Sequence, residues 1–240
     1  VMVNVNLIIR RALAVVLLSM LSLGFLSISA APKKQVQKIK VACVGNSITY
    51  GTGIEDREHF SYPVQLQKML GEKYQVGNFG KPGATLLNHG HCPYMQAMAF
   101  KGDIAVIHLG INDTDPRNWP NYRDEFVKDY LSLMDSLRSA NPKVRFILAR
   151  MTPIADRHPR FISGTKLWHG EIQEAIQTVA RVSGAELIDF HAPLYPYPYL
   201  LPDAIHPNPE GAGILAKTVY AGITGDYGGL KLSELYADNM

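Results

Sequence analysis

The chain is 240 residues long, a length that suits one domain of ordinary size. With 47% hydrophobic and 19% charged residues, it has the composition of a globular protein, not of a disordered or fibrous one. The net charge of +3 is too small to argue for a nucleic-acid partner.

The first thirty residues stand apart. Arg10 and Arg11 precede an apolar run from Ala12 to Leu26, and small residues follow through Ala31. A basic region, an apolar centre and a small-residue zone predict a secretory signal over 1–30, cleaved near Ala30. The run is shorter than the ~20 residues a spanning helix needs, so no stable membrane anchor is expected after cleavage. Export to the periplasm or the medium follows, with 31–38 as a polar leader and 39–240 as the folded domain. Export permits disulfides. Cys43 lies inside an apolar strand and reads as a small hydrophobe, and a bridge from it to Cys92 is left open.

The predicted elements follow in order. Ile39–Val44 is β-branched and almost continuously apolar, as in a strand covered on both faces. It breaks at Gly45-Asn46-Ser47, and 49–60 reads as loop. Tyr62–Leu70 has apolar residues near helical spacing, with Pro63 in the first turn, where proline is tolerated. Tyr74–Phe79 is a short strand that ends in the turn Gly80-Lys-Pro-Gly83. The ambiguous stretch 86–100 holds a helix from Pro93 to Phe100.

Asp103–Leu109 is a third strand that ends in Gly110. In Tyr122–Ser139 an apolar stripe of Phe126, Tyr130, Leu133, Met134 and Leu137 predicts an amphipathic helix. Val144–Ala149 is strand four, Lys166–Val182 a helix, and Ala185–Phe190 strand five. Ala192–Pro202, with four prolines and three tyrosines, should be irregular. Pro209–Tyr220 is a last helix with Pro209 and Glu210 at its start. Gly222–Met240 reads as a tail. Strands that alternate with helices predict a parallel sheet covered on both faces.

A parallel sheet delivers the carboxyl ends of its strands to one edge. Ser47, Gly80 and Asn112 stand at such ends, and Asp203-Ala-Ile-His206 follows the fifth strand. A serine nucleophile needs a base, and the base needs a partner that fixes its tautomer. Asp203 and His206 are three residues apart, so one short loop can carry both. An acyl oxyanion needs preorganised donors. The backbone N–H groups of Ser47 and Gly80 and the Asn112 amide are the candidates.

These blocks resemble the SGNH, or GDSL-type, hydrolase superfamily. Gly45-Asn-Ser-Ile48 resembles its first block and Asn78-Phe-Gly-Lys-Pro-Gly-Ala-Thr85 its second. Gly110-Ile-Asn-Asp113 resembles the third, and Asp203-Ala-Ile-His-Pro-Asn208 the fifth. The match covers about 39–221. The resemblance implies a flavodoxin-like three-layer α/β/α sandwich with a five-stranded parallel sheet. It also implies an ester hydrolase that needs neither metal nor other cofactor. Asn46 replaces the usual Asp, at a position that is not the nucleophile. The stretch from Ala99 to Trp119 and the pair Pro93-Tyr94 look similar to bacterial sialate O-acetylesterase-type carbohydrate esterases. The expected partner is therefore a small-molecule or oligosaccharide ester, with acetyl as the acyl group. Tyr94, Trp119, Tyr195, Tyr197 and Tyr199 are expected to flank the site, since such rings suit a sugar.

Other readings compete. A lipid-directed esterase, lysophospholipase or thioesterase would use the same residues, and a non-catalytic sugar-binding module would share the fold. His89-Gly-His91-Cys92 lacks a standard zinc spacing and a second ligand cluster. His108, in a strand, reads as a core histidine. The glycines at 45, 51 and 53 lack the fingerprint of a nucleotide loop. Nothing in the sequence sets an oligomeric state.

Overall fold

A computed structural model describes residues 37–86, 94–159 and 166–226. The predicted signal, most of the polar leader, the His89–Cys92 segment and the end of the tail lie outside the described residues. Five strands form one parallel sheet: β1 (Ile39–Gly45), β2 (Tyr74–Gly80), β3 (Ile104–His108), β4 (Arg145–Arg150) and β5 (Glu186–Asp189). Their order is β2-β1-β3-β4-β5. This is the flavodoxin-like order, in which the connections run one way from β1 to β2 and the other way from β3 onward.

That reversal sorts the helices, because each crossover is right-handed. The helices that matter here are α1 (Ser47–Tyr50), α2 (Tyr62–Leu70), α3 (Met95–Phe100), α4 (Phe126–Ala140), α5 (Lys166–Ser183) and α6 (Pro209–Thr224). α2 packs on α6, whereas α4 packs on α3 and α5. One group covers each face of the sheet, so the α/β class and the three layers are as expected. Among the described residues, no helix is long and apolar enough to cross a membrane.

The central strands are buried on both faces. Val41, Cys43 and Val44 in β1, Val106 and Ile107 in β3, and Ile147 and Leu148 in β4 have no accessible surface. The predicted stripe on α4 and the apolar face of α5 (Ile172, Ile176, Val179) are buried against them. Cys43 is a free, buried thiol, and Cys92, the other half of the bridge left open above, lies outside the described residues. Burial pushes the Cys43 pKa up to about 12, which keeps it an unreactive core residue.

Some boundaries differ from the sequence reading: α6, for one, runs on to Thr224, past the expected Tyr220 and into the expected tail. Residues 49–60 are not all loop: α1 begins at Ser47, and a further helical turn spans Arg57–Phe60. α4 begins at Phe126 rather than Tyr122 because Tyr122 has φ −131° and ψ 8°, outside the helical range. The polar stretch before it forms two separate short turns, Trp119–Tyr122 and Arg123–Glu125.

Candidate active site

The nucleophile candidate sits where β1 turns into α1. Asn46 is the N-cap of α1, and its Oδ1 accepts the Ile48 N–H at 3.0 Å. Asn and Asp cap equally well, so Asn46 in place of the usual Asp leaves the turn intact. Gly51 closes α1 at φ +95°, a conformation glycine adopts freely. The Thr49 hydroxyl lies 3.3 Å from the Tyr62 hydroxyl, and Tyr94 Oη donates to the Gly45 carbonyl at 2.9 Å. The residues before and after Ser47 are thus held in place. Ser47 itself is 7% accessible, the first residue of its helix, with its N–H among those that a helix leaves without an intrahelical acceptor.

The base candidate comes from the other end of the domain. His206 Nε2 lies 2.8 Å from Ser47 Oγ, and His206 Nδ1 lies 2.6 Å from Asp203 Oδ2. The same aspartate accepts two backbone N–H bonds at Oδ1, from Ile205 at 3.1 Å and His206 at 2.7 Å. Partial burial alone would raise the Asp203 pKa. The hydrogen bonds from His206 and Ile205 outweigh it, and the pKa falls below its ordinary 3.8. An ionised Asp203 takes the Nδ1 proton as a hydrogen bond and leaves the Nε2 lone pair facing the serine hydroxyl.

Ala204, between them, has φ +75°, an uncommon conformation for a residue with a Cβ. Two bonds hold it: its N–H donates to Leu201 O at 2.9 Å, and its carbonyl accepts from Ala155 N at 2.8 Å. Asn208 then caps α6 through a 2.9 Å bond from the Gly211 N–H. The turn that presents the base is therefore fixed at both ends.

Of the three oxyanion candidates, Gly80 lies at the end of β2. Its N–H already donates to Asn78 Oδ1 at 3.0 Å, which satisfies the donor inside its own strand end. Its glycine identity has another cause. A Cβ at 80 would overlap the Tyr50 amide nitrogen and come within 2.6 Å of the Thr49 carbonyl carbon. Gly80 is there so that β2 can approach α1. Asn112 is 9% accessible, and its Nδ2 donates to the Ala84 carbonyl at 2.8 Å.

One further residue, present in the third block but given no role by the sequence, organises the site. Asp113 has no accessible surface and accepts the Leu86 N–H through both oxygens, at 2.8 and 3.1 Å. With Asn112 it ties the end of β3 to the loop after β2. Tyr94 and Trp119, expected as rings beside the site, are instead 2% and 3% accessible. Tyr94 is spent on the Gly45 carbonyl, and the Trp119 indole donates to Glu171 Oε2 at 2.6 Å. Tyr195, Tyr197 and Tyr199 are exposed.

His108 is buried as expected. Its Nε2 accepts the Thr152 N–H at 3.3 Å, and its ring lies 5.2 Å from that of Phe190. Burial, with help from nearby His169, pushes its pKa down to about 3. Among the described residues, no group of three or more His, Cys, Asp or Glu side chains is placed to hold a metal ion.

An α/β domain with a serine, a histidine and an aspartate in hydrogen-bonded sequence at the carboxyl edge of its sheet has the outline of a serine hydrolase. The GDSL-like Lipase/Acylhydrolase family model matches residues 43–214, and the chain belongs to that family. Over 219 residues it is 38% identical to an acetylxylan esterase of Xylanibacter ruminicola, a match that covers 80% of this chain and 44% of that protein. The chain therefore spans less than half of that relative's length. Among solved structures, it superposes on an acetyl xylan esterase, AlAXEase, with a TM-score of 0.58 at 20% identity, covering 77% of this chain and all of that one. A carbohydrate esterase family 3 structure from Talaromyces cellulolyticus gives 0.59 at 16% identity, covering 78% and 97%. At such identities these two structures speak for the fold alone.

Proposed function

We propose that this chain is an exported ester hydrolase that removes acetyl groups from a carbohydrate. The observation that carries the catalytic part is the 2.8 Å and 2.6 Å relay from Ser47 through His206 to Asp203. Ser47 Oγ attacks the ester carbonyl carbon while His206 Nε2 takes its proton. The carbonyl oxygen becomes an oxyanion, and the Ser47 N–H and the Asn112 amide are the donors assigned to it. His206 then gives the proton to the departing sugar hydroxyl, leaving acetyl on Ser47. A water molecule, deprotonated by His206, attacks the acetyl group, and acetate leaves with Ser47 restored. Asp203 keeps the imidazole in one tautomer throughout. No metal or other cofactor enters any step.

The carbohydrate assignment is supported by the 38% identical relative, named as an acetylxylan esterase. The arginine pair and apolar run before residue 30 support export. The test is acetate release by the purified protein from acetylated xylan and from O-acetylated sialic acid, beside p-nitrophenyl acetate and octanoate. Acetate from at least one carbohydrate and a preference for the short ester are expected. An apolar acyl pocket would gain roughly 1 kcal/mol or more for each methylene. A strong octanoate preference with no acetate from any carbohydrate would overturn the assignment.

A further inference from the structure

The loop that carries Asp203 and His206 is also one wall of something larger. A cavity of about 390 Å³ lies beside it, lined by Pro153, Ile154, Arg157, Leu194, Tyr195 and Leu201 among others. The cavity is joined to the catalytic loop by backbone. Ala155, in its wall, donates to the Ala204 carbonyl, and the Arg157 guanidinium donates to the Pro202 carbonyl at 3.2 Å. These two bonds tie the cavity wall to the loop that carries His206.

The segment that borders it reads Tyr195-Pro-Tyr-Pro-Tyr199. Its three rings are 63%, 48% and 60% exposed, unusually open for large aromatic residues. They are also fixed in place. Tyr195 stacks on His191 with ring centroids 5.1 Å apart and planes 20° apart. Tyr197 and Tyr199 meet edge to face at 6.1 Å, and the Tyr199 hydroxyl donates to Glu210 Oε1 at 3.3 Å. Pro196 and Pro198 lock φ at their positions, which lowers the entropy lost when a ligand settles on the rings.

The charges around the cavity are already engaged. Asp156 accepts a 2.8 Å bond from Lys166, and Arg157 is spent on backbone carbonyls. Such a surface offers flat apolar faces edged with hydroxyls and neutralised charge. It fits a neutral ligand with alternating apolar faces and hydroxyl rims. We infer that the Tyr195–Tyr199 strip and its cavity form a subsite for the neighbouring sugar units of a neutral polysaccharide whose acetyl group lies at Ser47. The inference rests on the carbohydrate reading of the site and adds to it: the substrate is a chain rather than a free acetylated monosaccharide.

The test is kcat/KM on acetylated xylo-oligosaccharides of increasing length, each divided by kcat/KM on p-nitrophenyl acetate. For the native protein this ratio should rise with chain length. In Tyr195→Ala and Tyr199→Ala the rise should shrink by roughly 3- to 10-fold, through KM, as the loss of an aromatic contact predicts. Tyr195→Trp should restore it. A ratio independent of chain length in the native protein, or unchanged in both alanine variants, would overturn the subsite while leaving carbohydrate deacetylation standing. Hydrolysis of p-nitrophenyl acetate with no release from any oligosaccharide would overturn the carbohydrate reading and the subsite with it.

Discussion

Asn112 holds the Ala84 carbonyl at 2.8 Å, so the end of β3 grips the loop that follows β2. The same side chain is the one assigned to the oxyanion. A donor that is already oriented before the reaction costs no reorganisation during it. Asn112→Ala should lower kcat by roughly 10²–10³ and change KM little, as for a donor that acts in the transition state. Steady-state kinetics on p-nitrophenyl acetate decide the matter. A loss confined to KM would make Asn112 a substrate-binding residue only.

Gly80 packs against α1, the helix that begins at the proposed nucleophile. Gly80→Ala must push α1 away from β2, because a Cβ comes within 2.6 Å of the Thr49 carbonyl carbon. Overpacking of this kind typically costs about 1–3 kcal/mol. Urea unfolding should show that loss, and kcat should fall with it as Ser47 leaves its place opposite His206. Native stability in Gly80→Ala would mean that α1 yields without cost.

Ser47→Ala should reduce kcat by several orders of magnitude, up to the roughly 10⁶-fold seen when a serine nucleophile is removed elsewhere. Asp203→Asn should cost up to about 10⁴, since an amide favours the wrong imidazole tautomer. Circular dichroism on both variants separates lost chemistry from lost fold. Near-native turnover in folded Ser47→Ala would eliminate the mechanism.

Acid should unfold the protein earlier than its carboxylates require. His108 and His169 stay neutral in the folded state, with pKa values pushed by burial down to about 3 and about 4 from 6.5. Below pH 6.5 the unfolded chain binds protons that the folded chain refuses. Stability therefore falls as pH drops from 6.5 toward 4, with a slope that approaches about 2.7 kcal/mol per pH unit for two such groups. Asp203 acts at lower pH: its depressed pKa stabilises the fold above 3.8, and that contribution disappears as pH falls through the depressed value. Urea midpoints at pH 7, 6, 5 and 4.5 measure the slope, and His108→Gln should reduce it by about half. A flat profile over that range would show that both imidazoles titrate normally.

Chelation should not matter. The proposed steps use only Ser47, His206, Asp203 and backbone or amide donors. Incubation with EDTA should leave kcat and KM unchanged. Activity that disappears with EDTA and returns with zinc would move attention to His89 and His91.

Much of this was legible in the residues. Apolar runs such as Ile104–His108, and the stripe from Phe126 to Leu137, have only one economical place to go, and both lie in the core. The relay was legible because Asp203 and His206 share one short loop and strand ends share one edge. What could not be read was contact across the edge. Nothing in the sequence says that the Asn78 side chain folds back two residues onto the Gly80 N–H. Tyr94 and Trp119 look like exposed rings in a loop region, but each ring is buried and has an acceptor 49 or 52 residues away in sequence. A single sequence does not carry such pairings, since they depend on packing rather than on period.

Ser47 and His206 are 159 residues apart, and that separation sets an order of events. β1 is among the first parts of the domain to be synthesised, yet Ser47 just after it cannot meet His206 until the segment before α6 arrives. A chain that has formed all five strands and lacks only that last docking has most of its secondary structure and none of the Ser47–His206–Asp203 relay proposed for catalysis. Contacts between distant segments form late because long loops must close first. On dilution from urea, ester turnover should therefore return after the helical signal, which makes enzymatic activity a clock for the final step of folding.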